Sequence, residues 1–413
     1  HSTGGELFSG KSFCLKRARM DPSAGSMYFN SRRYLGHFNV KLLSTGYIQV
    51  VNEVPLAHYL YGVVAYEMND SYPIEALKAQ AVAAKSYVLV AVLASPDAEY
   101  HIGDTSSDQV YKGYNSAYAN VANAVDSTMD KVLAVNGNIL CAYYSASNGG
   151  ETNLVTYAWT TKGASNAGYA VSIDGYDIAN SASLCETVPL PINSAGNISQ
   201  GMYDLLLAKA GAALGTPVTG ISLIKSADVH TPKYPGTARN MSQVSVVMDV
   251  MAAGATYANV SVTFNATDLY AYGAVTNASL RCYWGEYSSD GSRYYIYHAR
   301  WGHGVGLSQR GAQQRANAGH SYADILAFYY PGATLASVSV PAVADPVRPG
   351  TVKDMTPIGT GKTTAQVNLR TGAGTSYTAL GMLAKNTALT IYESADSWYH
   401  VSVDGTGAEG WVY

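Results

Sequence analysis

Between Pro73 and Ala94 the chain reads PIEALKAQAVAAKSYVLVAVLA, and this stretch limits the possible folds more than any other. It is made of strong helix formers with no glycine or further proline. Pro73 suits a first helical turn, and Glu75 complements the positive end of the helix dipole. The text around it reads differently. Phe38, Val40 and Leu42 alternate in strand fashion, as does Tyr47–Val51, and Val132–Val135 and Ile139–Tyr144 flank an Asn136-Gly137 turn, a strong hairpin signal. A second helix is predicted near Met202–Ala213, with strands at Val244–Val250 and Val260–Phe264. One long helix amid strands calls for an α+β fold class, a mixed α/β body, and no internal repeat suggests otherwise.

At 413 residues the chain exceeds what one small core needs. Residues 341–362 are rich in proline and glycine, with little periodicity, and are predicted to be a linker. Beyond it, residues 363–413 alternate like the short strands of a small all-β barrel. The expected organisation is an N-terminal extension (1–29) carrying Lys11, Lys16, Arg17 and Arg19, a main body (30–340), the linker (341–362) and the barrel (363–413).

Only 13% of residues are charged and the formal net charge is -3. A nucleic-acid partner would need a basic footprint that this chain lacks. The 34 tyrosines against 6 phenylalanines suit an uncharged, polar partner, because tyrosine joins a flat apolar face to a hydroxyl and can stack on sugar rings. Compositional drift would give the same count. Cys14, Cys141, Cys185 and Cys282 are scattered, with no local zinc spacing, and their pairing stays open. The most apolar run, Ser86–Ser95, is shorter than the roughly 20 residues a bilayer takes, so no transmembrane segment is expected. The chain starts at His1 rather than Met, as either a trimmed export signal or a fragment boundary would leave it.

Three blocks carry the chemistry. The first, VNEVPLAHYLYGVVAYEMNDSYPIEALKAQAVAAKSYVLV, spans 51–90. The second comprises Asp104–Gly113 (DTSSDQVYKG), Ala124–Thr128 and Tyr143–Thr152 (YYSASNGGET). The third, Arg300–Leu335, includes GHGVGLSQRGA and YYPG. In the first, Glu67 follows Leu60, Val63, Val64 and Ala65. A carboxyl at the edge of such a stretch would be partly desolvated and so fitted to hold a proton, as a general acid must. The competing reading is a half-exposed glutamate after a strand. Lys78 and Lys85 lie seven apart, on roughly one helix face, and could orient the carboxylate or sugar hydroxyls; the alternative is two solvated lysines. Glu75 is explained by the helix dipole alone. His303 lies between two glycines that permit close backbone approach.

These blocks resemble the SpoIID/LytB family, whose L-x-x-Y-L-x-G-V-V, E-M and E-A-L-K-A-Q-A-V-A-A-R-T-Y elements all occur, with Lys85 for the usual Arg and Ser86 for the usual Thr. The tail is similar to the bacterial SH3-like repeat at Val367–Arg370, Gly372–Tyr377, Trp398–Val401 and Gly410–Val412. The resemblance implies a secreted peptidoglycan lytic transglycosylase, with Glu67 as the catalytic acid and then base. Such enzymes cut the β-1,4 bond from N-acetylmuramic acid to N-acetylglucosamine by attack of the C6 hydroxyl, leaving a 1,6-anhydro end. Substrate-binding candidates within the matching blocks are Lys78, Lys85, Tyr111, Tyr144, Ser147, His303, Ser308, Gln309 and Tyr329.

Some relatives hold zinc with His and Cys near the S-G-G loop. Tyr143–Asn148 lacks those ligands here, so neither metal nor any other cofactor is expected. One acid suffices for a lytic mechanism, whereas most glycosidases use two carboxylates, and Asp104, Asp108 and Glu151 stand as possible spatial partners. The alternatives are a non-catalytic enhancer of an amidase or other wall hydrolase, which would be its partner, and a wall anchor. Trp398, Tyr399 and Trp411 are candidate wall contacts, with the small barrel's core as the competing place for them.

Overall fold

The computed structural model describes residues 12–15, 27–115, 117–159, 165–338, 357–370, 375, 379–395 and 397–413. The basic residues Lys11, Lys16, Arg17 and Arg19, most of the linker and most of Gly372–Tyr377 lie outside them. The chain forms two compact units and runs back and forth between them. His1–Glu67, Asp97–Ala119 and Ser339–Tyr413 belong to one, Met68–Pro96 and Asn120–Val338 to the other.

In the first unit, β1 (Ser12–Leu15) joins an antiparallel sheet with β4 (His37–Leu42) and β5 (Ile48–Glu53), and a hairpin of β2 (Met27–Phe29) and β3 (Arg32–Tyr34) precedes it. The chain then enters α1 (Leu56–Glu67), which buries Tyr59, Leu60, Val63 and Val64. The strand that competed for the residues before Glu67 is therefore absent. Apolar positions at i, i+1, i+4 and i+5 make one helical face, and that periodicity outweighs the strand preference of Tyr and Val. Tyr111 packs against both Tyr34 and Tyr59, with ring centroids 5.8 Å and 5.0 Å away.

The second unit is built on α2 (Ile74–Ala94), which begins just after Pro73, as its sequence predicts. At 21 residues it is long and apolar enough to cross a membrane by length and composition, which the shorter run Ser86–Ser95 concealed; 61% of that window is buried. It is followed by α3 (Ala119–Asp126), the hairpin β6 (Lys131–Val135) and β7 (Asn138–Ile139), and β8 (Tyr144–Ser145). Asn136 and Gly137 have φ of 51° and 80°, the two positive values a tight I′ hairpin turn requires. After the short helices α4 (Val155–Ala158) and α5 (Gly175–Ala179) come β9 (Cys185–Pro191), α6 (Gln200–Leu214), and the antiparallel sheet of β10 (Val218–Pro232), β11 (Met241–Ala252) and β12 (Ala255–Asn265). A single turn, α7 (Asp268–Ala271), leads to β13 (Leu280–Tyr287) and β14 (Arg293–Trp301), which pair with β9 in the order β13-β14-β9. Leu205, Leu206, Ile224, Val246, Met248 and Ile296 belong to one buried core. The unit closes with β15 (Leu307–Ser308), α8 (Gln309–Asn317), α9 (Tyr322–Tyr329) and β16 (Thr334–Ser337), the last of which pairs with β6.

The tail is all-β. β17 (Gly359–Lys362), β18 (Val367–Arg370), β19 (Ala379–Leu383), β20 (Ala388–Ala395), β21 (Trp398–Val403) and β22 (Glu409–Val412) hydrogen-bond in the order β17-β20-β21-β22-β18-β19. Leu369, Leu389, Val401, Val403 and Val412 form its core. Trp398 and Trp411 are half-buried outside that core, and Tyr399 is exposed. Alternation in β21 and β22 turns the valines inward, which leaves Trp411 stacked on His400 at 5.0 Å.

Candidate functional site

Glu67 is the last residue of α1 and is half-buried. The loop 104–114 runs along this helix. Val110 N–H donates to Glu67 Oε1 at 2.9 Å, Tyr59 Oη donates to Gln109 Oε1 at 3.0 Å, and Lys112 N–H donates to the Gly62 carbonyl at 3.4 Å. A Cβ on Gly62 would meet the Tyr111 ring at 2.4 Å, so the glycine admits the loop and the loop orients the carboxyl. Tyr111, expected to touch substrate, is instead buried beside Gly62, with its hydroxyl donating to Asn52 Oδ1 at 2.6 Å and its pKa driven up by burial. It holds the loop in place. Asp104 and Asp108 lie on the exposed side of the same loop.

In the second unit Tyr143–Thr152 of the second block lies against the third block. β8 and β15 form a short parallel ladder that pairs Tyr144 with Leu307 and Ser145 with Ser308, and bridges link Ser147 to Trp301 and Asn153 to Val305. Beneath this ladder lie two fully buried aspartates that the sequence reading missed. Asp177 accepts from Ser308 Oγ (2.5 Å), Ser147 Oγ (2.7 Å) and the backbone N–H groups of Asn148, Gly149 and Gly150. Burial pushes its pKa up, the Ser308 and Ser147 hydroxyls pull it down, and the neighbouring Asp174 adds to the rise. Asp174 accepts from Tyr329 Oη (2.7 Å) and Asn148 Nδ2 (2.8 Å) and pairs with Arg315 Nη2 (2.9 Å). Ser147, Ser308 and Tyr329, three expected substrate contacts, thus spend their hydroxyls inside the protein. Ser308 also caps α8, accepting from Gly311 N–H at 3.0 Å. The only sequence signal for the aspartates was their spacing in DGYDIAN, outside every matched block.

The lysines separate. Lys78 is half-buried and pairs with Glu75 at 2.7 Å, while the other oxygen of Glu75 accepts from Tyr322 N–H at 2.7 Å. Glu75 therefore ties α2 to α9 as well as facing the helix dipole. Lys85 is 1% exposed and donates to the Thr128 carbonyl, and burial lowers its pKa to about 8. The sequence placed it on a shared face with Lys78, but the wall of that face is the core. Gln309 Nε2 reaches Gln80 Oε1 at 3.5 Å, joining the first and third blocks. Glu151 is also buried, accepting from the Ala238 and Arg239 N–H groups.

His303 is half-buried. Val305 N–H donates to its Nδ1 at 3.0 Å, which places the proton of a neutral ring on Nε2. Burial holds its pKa down at about 4, against a hydrogen bond with the Tyr144 backbone, and the Arg300 charge adds to the lowering. At neutral pH the ring is uncharged and aromatic rather than a titrating base. Tyr144 is half-buried in β8. Cys141, Cys185 and Cys282 are free thiols. Among the described residues no three of His, Cys, Asp and Glu come together as a metal-holding group.

Residues 44–134 match the model of the Stage II sporulation protein family, SpoIID, and residues 365–413 match the bacterial SH3 domain. Over 294 residues the chain is 31% identical to the amidase enhancer of Bacillus subtilis (strain 168), which covers 67% of this chain and 40% of that protein. It is 26% identical over 300 residues to stage II sporulation protein D of the same organism, covering 69% of this chain and 75% of that protein. Stage II sporulation protein D of Bacillus amyloliquefaciens is 26% identical over 298 residues. The matched region contains α1, Glu67 and α2, and the match to the tail contains β18 to β22, so the chain carries a SpoIID-family domain and a bacterial SH3 domain.

Proposed function

We propose that the protein acts at the cell wall as a peptidoglycan lytic transglycosylase, with Glu67 as general acid and then general base. The observation that supports this most is the placement of Glu67. It stands at the end of a helix, half-buried, with one oxygen fixed by the Val110 amide. A carboxyl held in this way can protonate the glycosidic oxygen and then take the proton from the C6 hydroxyl as it closes on C1. No water enters the product, so one carboxyl serves both steps. The lack of a strongly basic surface balance suits a glycan partner, and the SH3 domain supplies a wall-binding module.

A second reading has its own support: the relative with 31% identity is named amidase enhancer. On that reading the body binds wall and stimulates an amidase without cutting. Product analysis separates the two. Purified sacculi digested by the wild-type chain should yield 1,6-anhydro ends, and Glu67→Gln, which removes only the transferable proton, should slow their appearance by about 10²- to 10⁴-fold. Anhydro ends from Glu67→Gln at the wild-type rate would refute the role of Glu67. No new ends from the wild type, with stimulation of an added amidase, would establish the enhancer.

A further inference from the structure

Three aromatic side chains of the second unit meet where its blocks join. The rings of Tyr143 and Trp159 are 4.8 Å apart, Trp159 and His303 4.9 Å, and Tyr143 and His303 6.1 Å. All three are half-buried, so each keeps some surface open to solvent. None carries charge at neutral pH. His303 is held neutral with its Nδ1 already accepting from Val305, which leaves it a flat apolar ring more than a proton carrier. Beside them is Asn153, 5% exposed. Its Nδ2 donates to the His303 carbonyl at 3.1 Å and its backbone N–H to the Gly304 carbonyl at 2.8 Å. Its Oδ1 is buried and accepts no hydrogen bond.

We propose that Tyr143, Trp159 and His303 form a subsite for an N-acetylhexosamine ring of the glycan strand. The inference rests on the glycan-directed reading above and adds to it the residues that recognise the sugar. A pyranose ring has an apolar C–H face and a rim of donors. Clustered, partly exposed aromatic rings match the face. A charged ligand would find no counter-charge among these three side chains. Trp159 lies outside all three motif blocks, so only the fold brings it to His303.

The test uses the full chain carrying Glu67→Gln, so that binding is read without turnover, and a peptide-free tetrasaccharide of alternating N-acetylglucosamine and N-acetylmuramic acid. By calorimetry, adding Trp159→Ala should weaken binding about tenfold, while Trp159→Phe, which keeps an aromatic face, should stay within about threefold. In the same protein labelled with 5-fluorotryptophan, the fluorine signal of position 159, assigned by its loss in Trp159→Phe, should shift when the glycan is added. Unchanged affinity in Trp159→Ala together with a static signal would overturn the subsite and leave the glycan reading standing. If Trp159→Ala fails to fold, the fluorine signal of the unsubstituted position decides alone. Failure of the Glu67→Gln chain to bind the tetrasaccharide at all would count against the glycan reading itself, and the subsite would go with it.

Discussion

Lys85 keeps an ammonium group in the core with a backbone carbonyl for company, and the chain is less stable for it. Its pKa falls from the ordinary 10.5 to about 8 through burial, against the raising effect of Asp130. Below pH 8 both folded and unfolded chains hold the proton, and the burden is complete. Between about 8 and 10.5 the unfolded chain binds more protons than the folded one, so stability rises with pH. Lys85→Met fills similar volume without the charge. It should therefore be more stable than wild type at pH 7, by an amount on the order of a few kcal/mol, and that advantage should shrink as pH climbs through the window. Urea denaturation of both chains at pH 7, 9 and 10.5 checks this, and an advantage that does not change with pH would refute it. The sequence showed Lys85 only as a cation on a helix face. Whether a face looks to solvent or to the core depends on what covers it, and the covering residues here, such as Thr128, are more than forty positions away. The burial of Tyr111 was hidden for the same reason, since nothing local marks Gly62 as the surface it packs on.

At the scale of elements, α8 shows how a motif glycine can be explained by packing. Gly311 is in the first turn of a helix, where alanine would ordinarily gain about 1 kcal/mol. A Cβ there would come within 2.0 Å of Tyr329 Oη and 2.7 Å of Asp174 Oδ2. Both atoms are buried and bonded to each other, so neither can yield. Gly311→Ala should then destabilise the protein by roughly 2–4 kcal/mol, the reverse of its propensity effect, as a shift in the guanidinium midpoint without change in slope would show. Alanine at or above wild-type stability would mean the Asp174–Tyr329 pair relaxes freely. Elements with a strong local signal were legible in the sequence. α2 begins one residue after Pro73, the Asn136-Gly137 turn forms, and Val244–Val250 and Val260–Phe264 lie within β11 and β12. α1 was hidden because its tyrosines and valines favour strands residue by residue, and only their spacing says helix. The aspartate pair under β8 and β15 was hidden because the partners that define it come from four separate stretches of chain.

For the molecule as a whole, the SH3 domain has its own core of Leu369, Leu389, Val401, Val403 and Val412. A separately folded binding module raises the local concentration of its neighbour on a polymer without adding groups to bond cleavage. Removing residues 351–413 should weaken binding to whole sacculi by about ten- to hundredfold and leave turnover of short soluble glycans within about twofold. Sedimentation with sacculi and a tetrasaccharide assay measure the two effects. Loss of short-glycan turnover in a folded truncation would give the tail a part in the reaction. The body has no such independence along the chain. One side of the first block's long helix is covered by elements made far later: Gln80 meets Gln309 and Glu75 meets Tyr322, 229 and 247 residues further on. During synthesis at about 5–20 residues per second, those partners follow roughly ten to fifty seconds behind. Thr128 and β6 reach α2 soon after it is made, but throughout that interval the side that meets α8 and α9 stays open on an apolar helix of membrane-spanning length, and the nascent chain must be shielded there until they arrive.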